Sequence, residues 1–353
     1  VSDILRHVQP WLREAPLFAV GEPPVDALRL DLNEGAYGPT PAALRAIAER
    51  AVTGNRYPDP DGAHGLRAAL AAHLGVPGDH LLFGAGSNSL GSLLVRIAVG
   101  VGGRVAYSWP GFPTYGWSAK RTGGIAVPVP VREDGTDDLA ALAAAARDAD
   151  VVVLATPANP TGRYVATGLE EFVREASRHA LVIVDEAYHE YAPPAVSGLD
   201  LLKAGHELVV LRTFSKAWGL AGVRVGYAIM PPALRDVARA AQDTFEVSSL
   251  AFAAATASLA DLDEIARRAA ENAAVRDAIE AALAAAGVPY WPSAANFVCA
   301  QPADPEGFTR RLADQGIVVR VIGAFGDPTR VRIGVPAAEH RDRVLAAIAA
   351  AAR

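Results

Sequence analysis

Three apolar runs in the middle of the chain each end in a polar residue of a different chemical kind. Residues 151–155 run into Thr156-Pro157-Ala158-Asn159-Pro160-Thr161-Gly162, residues 181–184 into Asp185-Glu186-Ala187-Tyr188, and residues 208–211 into Arg212-Thr213-Phe214-Ser215-Lys216. Asn159 to Asp185 is 26 residues and Asp185 to Lys216 is 31, room in each case for one strand-helix-strand crossover. In an open parallel sheet the carboxyl ends of the strands border the ligand crevice, so Asn159, Asp185, Tyr188 and Lys216 are expected at one site.

An amide, an acid, a phenol and an amine together suit pyridoxal phosphate. The lysine amine condenses with the cofactor aldehyde, the carboxylate keeps the ring nitrogen protonated, and Asn and Tyr donate to the phenolic oxygen. Its phosphate needs backbone amides at a helix start, which Gly84-Ala85-Gly86-Ser87-Asn88 before a helix would supply. Ser215 and Arg224 would complete that cup, and Phe112, after Pro110-Gly111, would stack on the ring. Lys216 is one of only three lysines, with Lys120 and Lys203, among 33 basic residues. Arginine stays charged, whereas a lysine amine can be made neutral and nucleophilic.

The rest of the sequence must position these groups. At about 150 residues per domain, 353 residues suggest two domains. Residues 51% hydrophobic and 20% charged describe a chain that buries a core. A formal charge of −6 gives no basic field for nucleic acid. One cysteine, Cys299, and eight scattered histidines leave no metal-ligand spacing and point to a reducing compartment. No stretch approaches the ~18 apolar residues of a membrane span, and the first twenty residues, with Arg6, Arg13 and Glu14, do not read as a signal peptide. A cytoplasmic protein is expected.

Periodicity places helices over residues 41–52, 65–74, 88–99, 139–147 and 169–179, alternating with strand-like runs at 80–83, 104–107, 126–129, 151–155, 180–184, 207–211 and 223–229. That alternation predicts an α/β fold with a mainly parallel sheet flanked by helices. From about 250 the pattern changes to a long Ala-rich helix over 259–286, strands at 296–300, 317–321 and 330–335, and helices near 305–315 and at the end. A smaller α+β domain is expected there.

The segments Val184-Asp185-Glu186-Ala187-Tyr188 and Arg212-Thr213-Phe214-Ser215-Lys216-Ala217-Trp218-Gly219-Leu220-Ala221-Gly222-Val223-Arg224-Val225-Gly226 resemble those of fold-type I, pyridoxal-phosphate-dependent aminotransferases of classes I and II. The likeness is to the branch of histidinol-phosphate aminotransferases, which also holds aromatic aminotransferases. Asn33-Glu34, Tyr37-Gly38-Pro39, Arg56-Tyr57-Pro58-Asp59-Pro60-Asp61-Gly62, Ala295-Asn296-Phe297-Val298, Gly316-Ile317-Val318-Val319-Arg320 and Arg332-Ile333 match in the family's order.

The resemblance implies an N-terminal arm over 1–40 that joins the small domain and a dimer contact, a large cofactor-binding domain over 41–250 and a small domain over 251–353. It implies that Lys216 carries the cofactor and shuttles the proton, that Tyr57 reaches the neighbouring subunit's phosphate in a homodimer, and that Arg332 and Arg320 clamp the anionic end of the substrate while Tyr37 closes the pocket. The reaction implied is exchange of an amino group between histidinol phosphate, or an aromatic or related amino acid, and a 2-oxo acid such as 2-oxoglutarate. A decarboxylase, lyase or oxidase of an amino acid is the alternative, because three motifs depart from the branch. Asn33-Glu34-Gly35-Ala36-Tyr37 stands for Asn-Glu-Asn-Pro-Tyr, Gly86-Ser87-Asn88-Ser89 for Gly-Ser-Asp-Glu, and Ala158-Asn159 for the paired asparagines.

Overall fold

The computed structural model describes residues 3–13, 26–59, 65–193 and 195–353; the Pro60-Asp61-Gly62 end of the Tyr57 motif lies outside them. The strands are β1 (Leu28–Arg29), β2 (Leu81–Gly84), β3 (Arg104–Trp109), β4 (Ile125–Pro130), β5 (Val151–Ala155), β6 (Leu181–Asp185) and β7 (Val209–Thr213). They continue with β8 (Gly226–Ile229), β9 (Tyr290–Trp291), β10 (Phe297–Ala300), β11 (Ile317–Val318), β12 (Arg320–Val321) and β13 (Val331–Gly334). The helices are α1 (Pro41–Ala51), α2 (Leu66–Leu74), α3 (Ser87–Ala98), α4 (Thr114–Arg121), α5 (Leu139–Ala146) and α6 (Leu169–Ala176). After them come α7 (Gly198–Lys203), α8 (Pro232–Ala241), α9 (Ser249–Ser258), α10 (Leu262–Ala285), α11 (Pro305–Ala313) and α12 (Arg341–Ala351).

Seven strands form one sheet in the order β2-β8-β7-β6-β5-β3-β4. All its neighbours from β4 to β7 are parallel, and β8 alone runs against both β7 and β2. The expected α/β class is therefore present. Strands β5, β6 and β7 open on runs of Val, Ile and Leu without polar alternation, because helices cover both faces, and turn polar only at the carboxyl ends of β6 and β7. One core, with Leu66, Leu70, Leu154, Val184 and Phe214, fills one side of this sheet; a second, with Leu90, Leu94, Tyr107, Tyr115 and Val153, fills the other.

A four-stranded sheet, β12-β13-β10-β9, is built from the C-terminal third. Its core takes Val275, Ile279 and Leu283 of α10, Phe308 of α11 and Ile348 of α12, together with Leu30 from the N-terminal segment. The single strand expected over 317–321 is two. Ile317–Val318 pairs in parallel with Leu28–Arg29, while Arg320–Val321 pairs antiparallel with β13, so the chain changes sheets at Val319.

The helix expected over 259–286 begins at Leu262, and a separate helix, α9, precedes it. Ser248 starts α9 by accepting from the Ala251 N–H at 3.1 Å. Helices α4, α7, α8 and α9 were not expected from periodicity. In α9 alanine occupies buried and half-exposed faces alike, so its sequence carries almost no amphipathic signal. Among the described residues no helix is long and apolar enough to cross a membrane.

Candidate active site

Strands β5, β6 and β7 are adjacent, with Ala155 opposite Asp185 and Asp185 opposite Leu211. Their carboxyl ends therefore open onto one place, a cavity of about 340 Å³. Asn159, Asp185, Tyr188, Ser215, Lys216 and Arg224 line it, as do Gly86, Ser87 and Asn88 at the start of α3, Phe112 from the loop before α4, and Arg332 from β13. The 26- and 31-residue spacings thus bring the four groups together as the topology requires.

Asp185 is buried. Its Oδ1 accepts from the Ala187 N–H at 3.0 Å, and its Oδ2 accepts from the Tyr115 hydroxyl. Burial raises its pKa, and the bond from Tyr115 is the largest influence the other way. Lys216 Nζ donates to the Asn33 carbonyl at 2.8 Å and lies 5.5 Å from the Tyr188 ring centroid. Burial, helped by the charge of Arg332, lowers the Lys216 pKa to about 8, against the pull of Glu34. At that value the neutral, nucleophilic amine is a minority near neutral pH but far more populated than for an ordinary lysine.

Arg332 is held from two sides. Its Nη1 donates to Asn159 Oδ1 at 2.6 Å and its Nη2 to the Asp31 carbonyl at 2.7 Å, while its buried Nε has no partner among the described residues. The guanidinium lies 4.8 Å from the Phe325 ring centroid and 5.6 Å from that of Phe297. Burial lowers its pKa to about 10, so it remains a cation at neutral pH. Tyr188 accepts from Asn33 Nδ2 at 3.1 Å, and burial raises its pKa.

The loop from β2 to α3 forms the opposite wall. Among the described residues no side chain caps α3 at Gly86, which leaves its first-turn N–H groups open to an anion. Gly86 has φ 94°, and a Cβ there would come within 2.9 Å of Arg224 Nη2. Arg224, itself left-handed at φ 63°, ties this loop down by donating from Nη2 to the Ala85 carbonyl at 2.9 Å. An acid, an amine of lowered basicity, a phenol, an amide and an uncapped helix start beside an arginine match the ring, aldehyde and phosphate of pyridoxal phosphate group by group.

Three expected residues stand elsewhere. Arg320 does not line the cavity; its Nε donates to the Asp31 carbonyl at 3.2 Å and its Nη2 lies 3.7 Å from the Asp31 carboxylate. Tyr37 lies under Arg267 and Arg268, at 5.2 and 5.5 Å from their guanidinium carbons. Tyr57 is 80% exposed and stacks on Phe245 at 4.6 Å.

Sequence reading missed Tyr115, Thr213, Leu32 and Phe325 in the lining, and Glu246 just behind it. Glu246 Oε1 accepts from the Ala85 N–H at 3.0 Å and from the Ser89 hydroxyl. The departure Gly86-Ser87-Asn88-Ser89 therefore has a carboxylate beside it after all, delivered from residue 246. Gly35, where the branch has Asn, packs so closely on the Lys216 carbonyl oxygen that any Cβ would overlap it. Among the described residues no cluster of His, Cys, Asp and Glu could hold a metal ion.

Comparison with known proteins gives the same kind of molecule. The family model described as aminotransferase class I and II matches residues 25–350. An aromatic amino acid aminotransferase of Thermobifida fusca (strain YX) is 40% identical over 340 residues, covering 93% of this chain and 94% of its own. Another, of Mycobacterium tuberculosis (strain ATCC 25618 / H37Rv), is 38% identical over 345 residues, covering 96% of each. The crystal structure of a histidinol-phosphate aminotransferase from Sinorhizobium meliloti, in complex with pyridoxal-5'-phosphate, superposes with a TM-score of 0.90 at 31% identity and 98% coverage of both chains.

Proposed function

This chain belongs to the class I and II aminotransferases, and we propose that it exchanges the amino group of an aromatic amino acid with a 2-oxo acid such as 2-oxoglutarate. The enzyme depends on pyridoxal phosphate. The carrying observation is that Asn159, Asp185, Tyr188, Lys216 and Arg332 line one cavity whose remaining lining includes Leu32, Phe112, Tyr115 and Phe325. An apolar, aromatic wall suits an aromatic side chain, and the relatives named aromatic amino acid aminotransferase support it.

When bound, pyridoxal phosphate supplies an aldehyde for the donor's nitrogen and a protonated ring that draws off the electron pair left at the alpha carbon. Asp185 holds the ring-nitrogen proton, and Asn159 and Tyr188 hold the ring oxygen. Gly86, Ser87, Asn88, Ser215 and Arg224 bind the phosphate, with Phe112 against the ring. Lys216, its pKa lowered to about 8, would take the alpha proton and deliver it to the carbon that was the cofactor's aldehyde. Arg332 binds the donor carboxylate and is turned toward it by Asn159.

Residues 41–250 form the cofactor-binding unit in this reading, and 251–353 with the 1–40 arm bring in Arg332. Tyr57, exposed and backed by Phe245, serves the partner's site in a homodimer, while Arg320 acts from behind the site by holding Asp31, whose carbonyl also accepts from Arg332. The lone buried Cys299 suits a reducing cytoplasm, and the reaction suits amino-acid biosynthesis. Histidinol phosphate is a second donor, supported by the Sinorhizobium meliloti structure.

The test is a half-reaction. Holoenzyme mixed with phenylalanine, tyrosine or histidinol phosphate alone should lose its visible cofactor absorbance and release one equivalent of the oxo product. Adding 2-oxoglutarate should restore the colour. Should none of the three donors bleach the enzyme, the proposed donor class is wrong; release of carbon dioxide, ammonia or peroxide would show different chemistry.

A further inference from the structure

Asp185 is gripped at both oxygens by groups from two elements. The Ala187 N–H holds Oδ1 at 3.0 Å, and the hydroxyl of Tyr115, from the first turn of α4, holds Oδ2. Tyr115 is buried, and its ring is fixed by Phe112 at 5.8 Å and 83° and by Tyr107 at 6.3 Å. It also lines the cavity, beside the aromatic proposed to pack on the ring.

We propose that Tyr115 is the positioning residue that holds the Asp185 carboxylate, turned and charged, for the ring nitrogen of pyridoxal phosphate. This rests on the cofactor reading above. A carboxylate has about four acceptor sites on its two oxygens, so the bond from Tyr115 leaves room for a second donor. The choice of a phenol is itself informative. An arginine or lysine here would cancel the charge that the ring nitrogen needs, whereas a phenol stabilises the carboxylate and adds no cation.

The other charged or titratable groups acting on Asp185 are Glu186, Lys216 and Tyr188. Glu186 is already spent on Arg212, at 2.7 Å, and on the Gly198 N–H, at 2.7 Å. Burial opposes ionisation of Asp185, and Tyr115 leads the groups that oppose burial. Burial and the neighbouring negative charge push the Tyr115 hydroxyl well up, so it stays a donor throughout the working pH range.

Tyr115→Phe removes one oxygen and keeps the ring. Pyridoxal phosphate should bind the apoenzyme variant about tenfold more weakly, the scale of one lost hydrogen bond to a charged group. The pH midpoint of the bound cofactor's visible absorbance should move up, because a less positive ring holds neighbouring protons more tightly. Phe112→Leu, which removes ring packing and leaves Asp185 alone, should weaken binding and leave the midpoint where it was. In an Asp185→Asn background the Tyr115→Phe change should add nothing further.

Unchanged affinity and midpoint in Tyr115→Phe, or full additivity with Asp185→Asn, would overturn the assignment. If the parent protein itself fails to take up pyridoxal phosphate, the cofactor reading falls instead.

Discussion

The amine of Lys216 donates to the main-chain carbonyl of Asn33, 183 residues away in sequence, at 2.8 Å. Asn33 is left-handed at φ 54° and also donates from its side chain to the Tyr188 hydroxyl, while Asn296 donates to the same Asn33 carbonyl at 3.2 Å. Strained backbone of this kind, costing about 1–3 kcal/mol, persists where its surroundings over-determine it. Here three elements do so, and the N-terminal segment becomes a wall of the site. A neutral carbonyl, unlike a carboxylate, does not lock the ammonium in its charged form.

Capture of the cofactor by apoenzyme should therefore follow the Lys216 titration. A pKa lowered to about 8 means the amine is protonated and unreactive below that pH and neutral above it. The stopped-flow rate of visible absorbance gain should rise with pH through about 8 and then level. Arg332→Gln removes a charge that lowers this pKa, so its midpoint should lie higher. A rate that is flat between pH 6 and 10 would contradict the assignment.

Lys216→Arg keeps the charge and discards the nucleophile. Borohydride treatment followed by mass spectrometry should find no cofactor attached to the variant. Its turnover should fall by at least about a thousandfold, as expected when a positioned proton-transfer group is lost. Normal turnover would remove Lys216 from the mechanism.

Arg332→Lys should leave cofactor binding intact and lower kcat/KM about ten- to a hundredfold for every carboxylate donor, the scale of a lost charge-assisted hydrogen bond. Asn159→Ala removes the partner that turns the guanidinium and should share part of that loss. A donor lacking the carboxylate, such as the corresponding amino alcohol, should be little affected by Arg332→Lys. Equal losses for both donors would show that Arg332 does not read the carboxylate.

Glu246→Ala should loosen the loop from β2 to α3. Glu246 holds the Ala85 N–H and the Ser89 hydroxyl and is itself held by Gln242 at 2.7 Å. Losing these bonds should weaken pyridoxal phosphate binding by about five- to tenfold, with pyridoxal lacking its phosphate affected less. If both forms weaken equally, the loop does not act through the phosphate.

The sheet and the convergence of Asn159, Asp185, Tyr188 and Lys216 on one cavity were legible because their signals are local. Residues 151–155 are a strand in sequence and in structure, and Asn159, Asp185 and Lys216 follow short apolar runs of the kind that a sheet covered on both faces buries. Tyr115, Glu246 and Phe325 were not legible. Tyr115 lies in a helix of mostly small and polar residues after Pro113, with no apolar period to announce it. Glu246 reaches the site from irregular chain beside a left-handed Phe245, and Phe325 from the end of a single 3-10 turn before Gly326 at φ 109°; they lie 161 and 213 positions from the residues they serve, Ala85 and Phe112. The sheet change at Val319 was hidden too, because one unbroken apolar run pairs with two different partners.

Phe325 joins the two halves of the molecule at the site and should govern the choice of donor. Its carbonyl accepts from the Gly111 N–H at 3.0 Å, its ring lies 6.4 Å from that of Phe112, and it covers the Arg332 guanidinium. An aromatic donor whose carboxylate sits on Arg332 would then have its side chain within reach of both rings, whereas an aliphatic donor gains little from an aromatic edge. Phe325→Leu keeps most of the apolar volume and removes the aromatic face, worth about 0.5–1.5 kcal/mol per aromatic pair. The expected result is a rise of about three- to tenfold in KM for phenylalanine and tyrosine, with kcat and the KM for 2-oxoglutarate nearly unchanged. Leucine as donor serves as the internal reference, because loss of packing around Arg332 would weaken it as much as the aromatic donors. Parallel losses for leucine and phenylalanine would therefore assign Phe325 to holding Arg332 in place, and the aromatic preference would have to reside in Leu32 and Phe112.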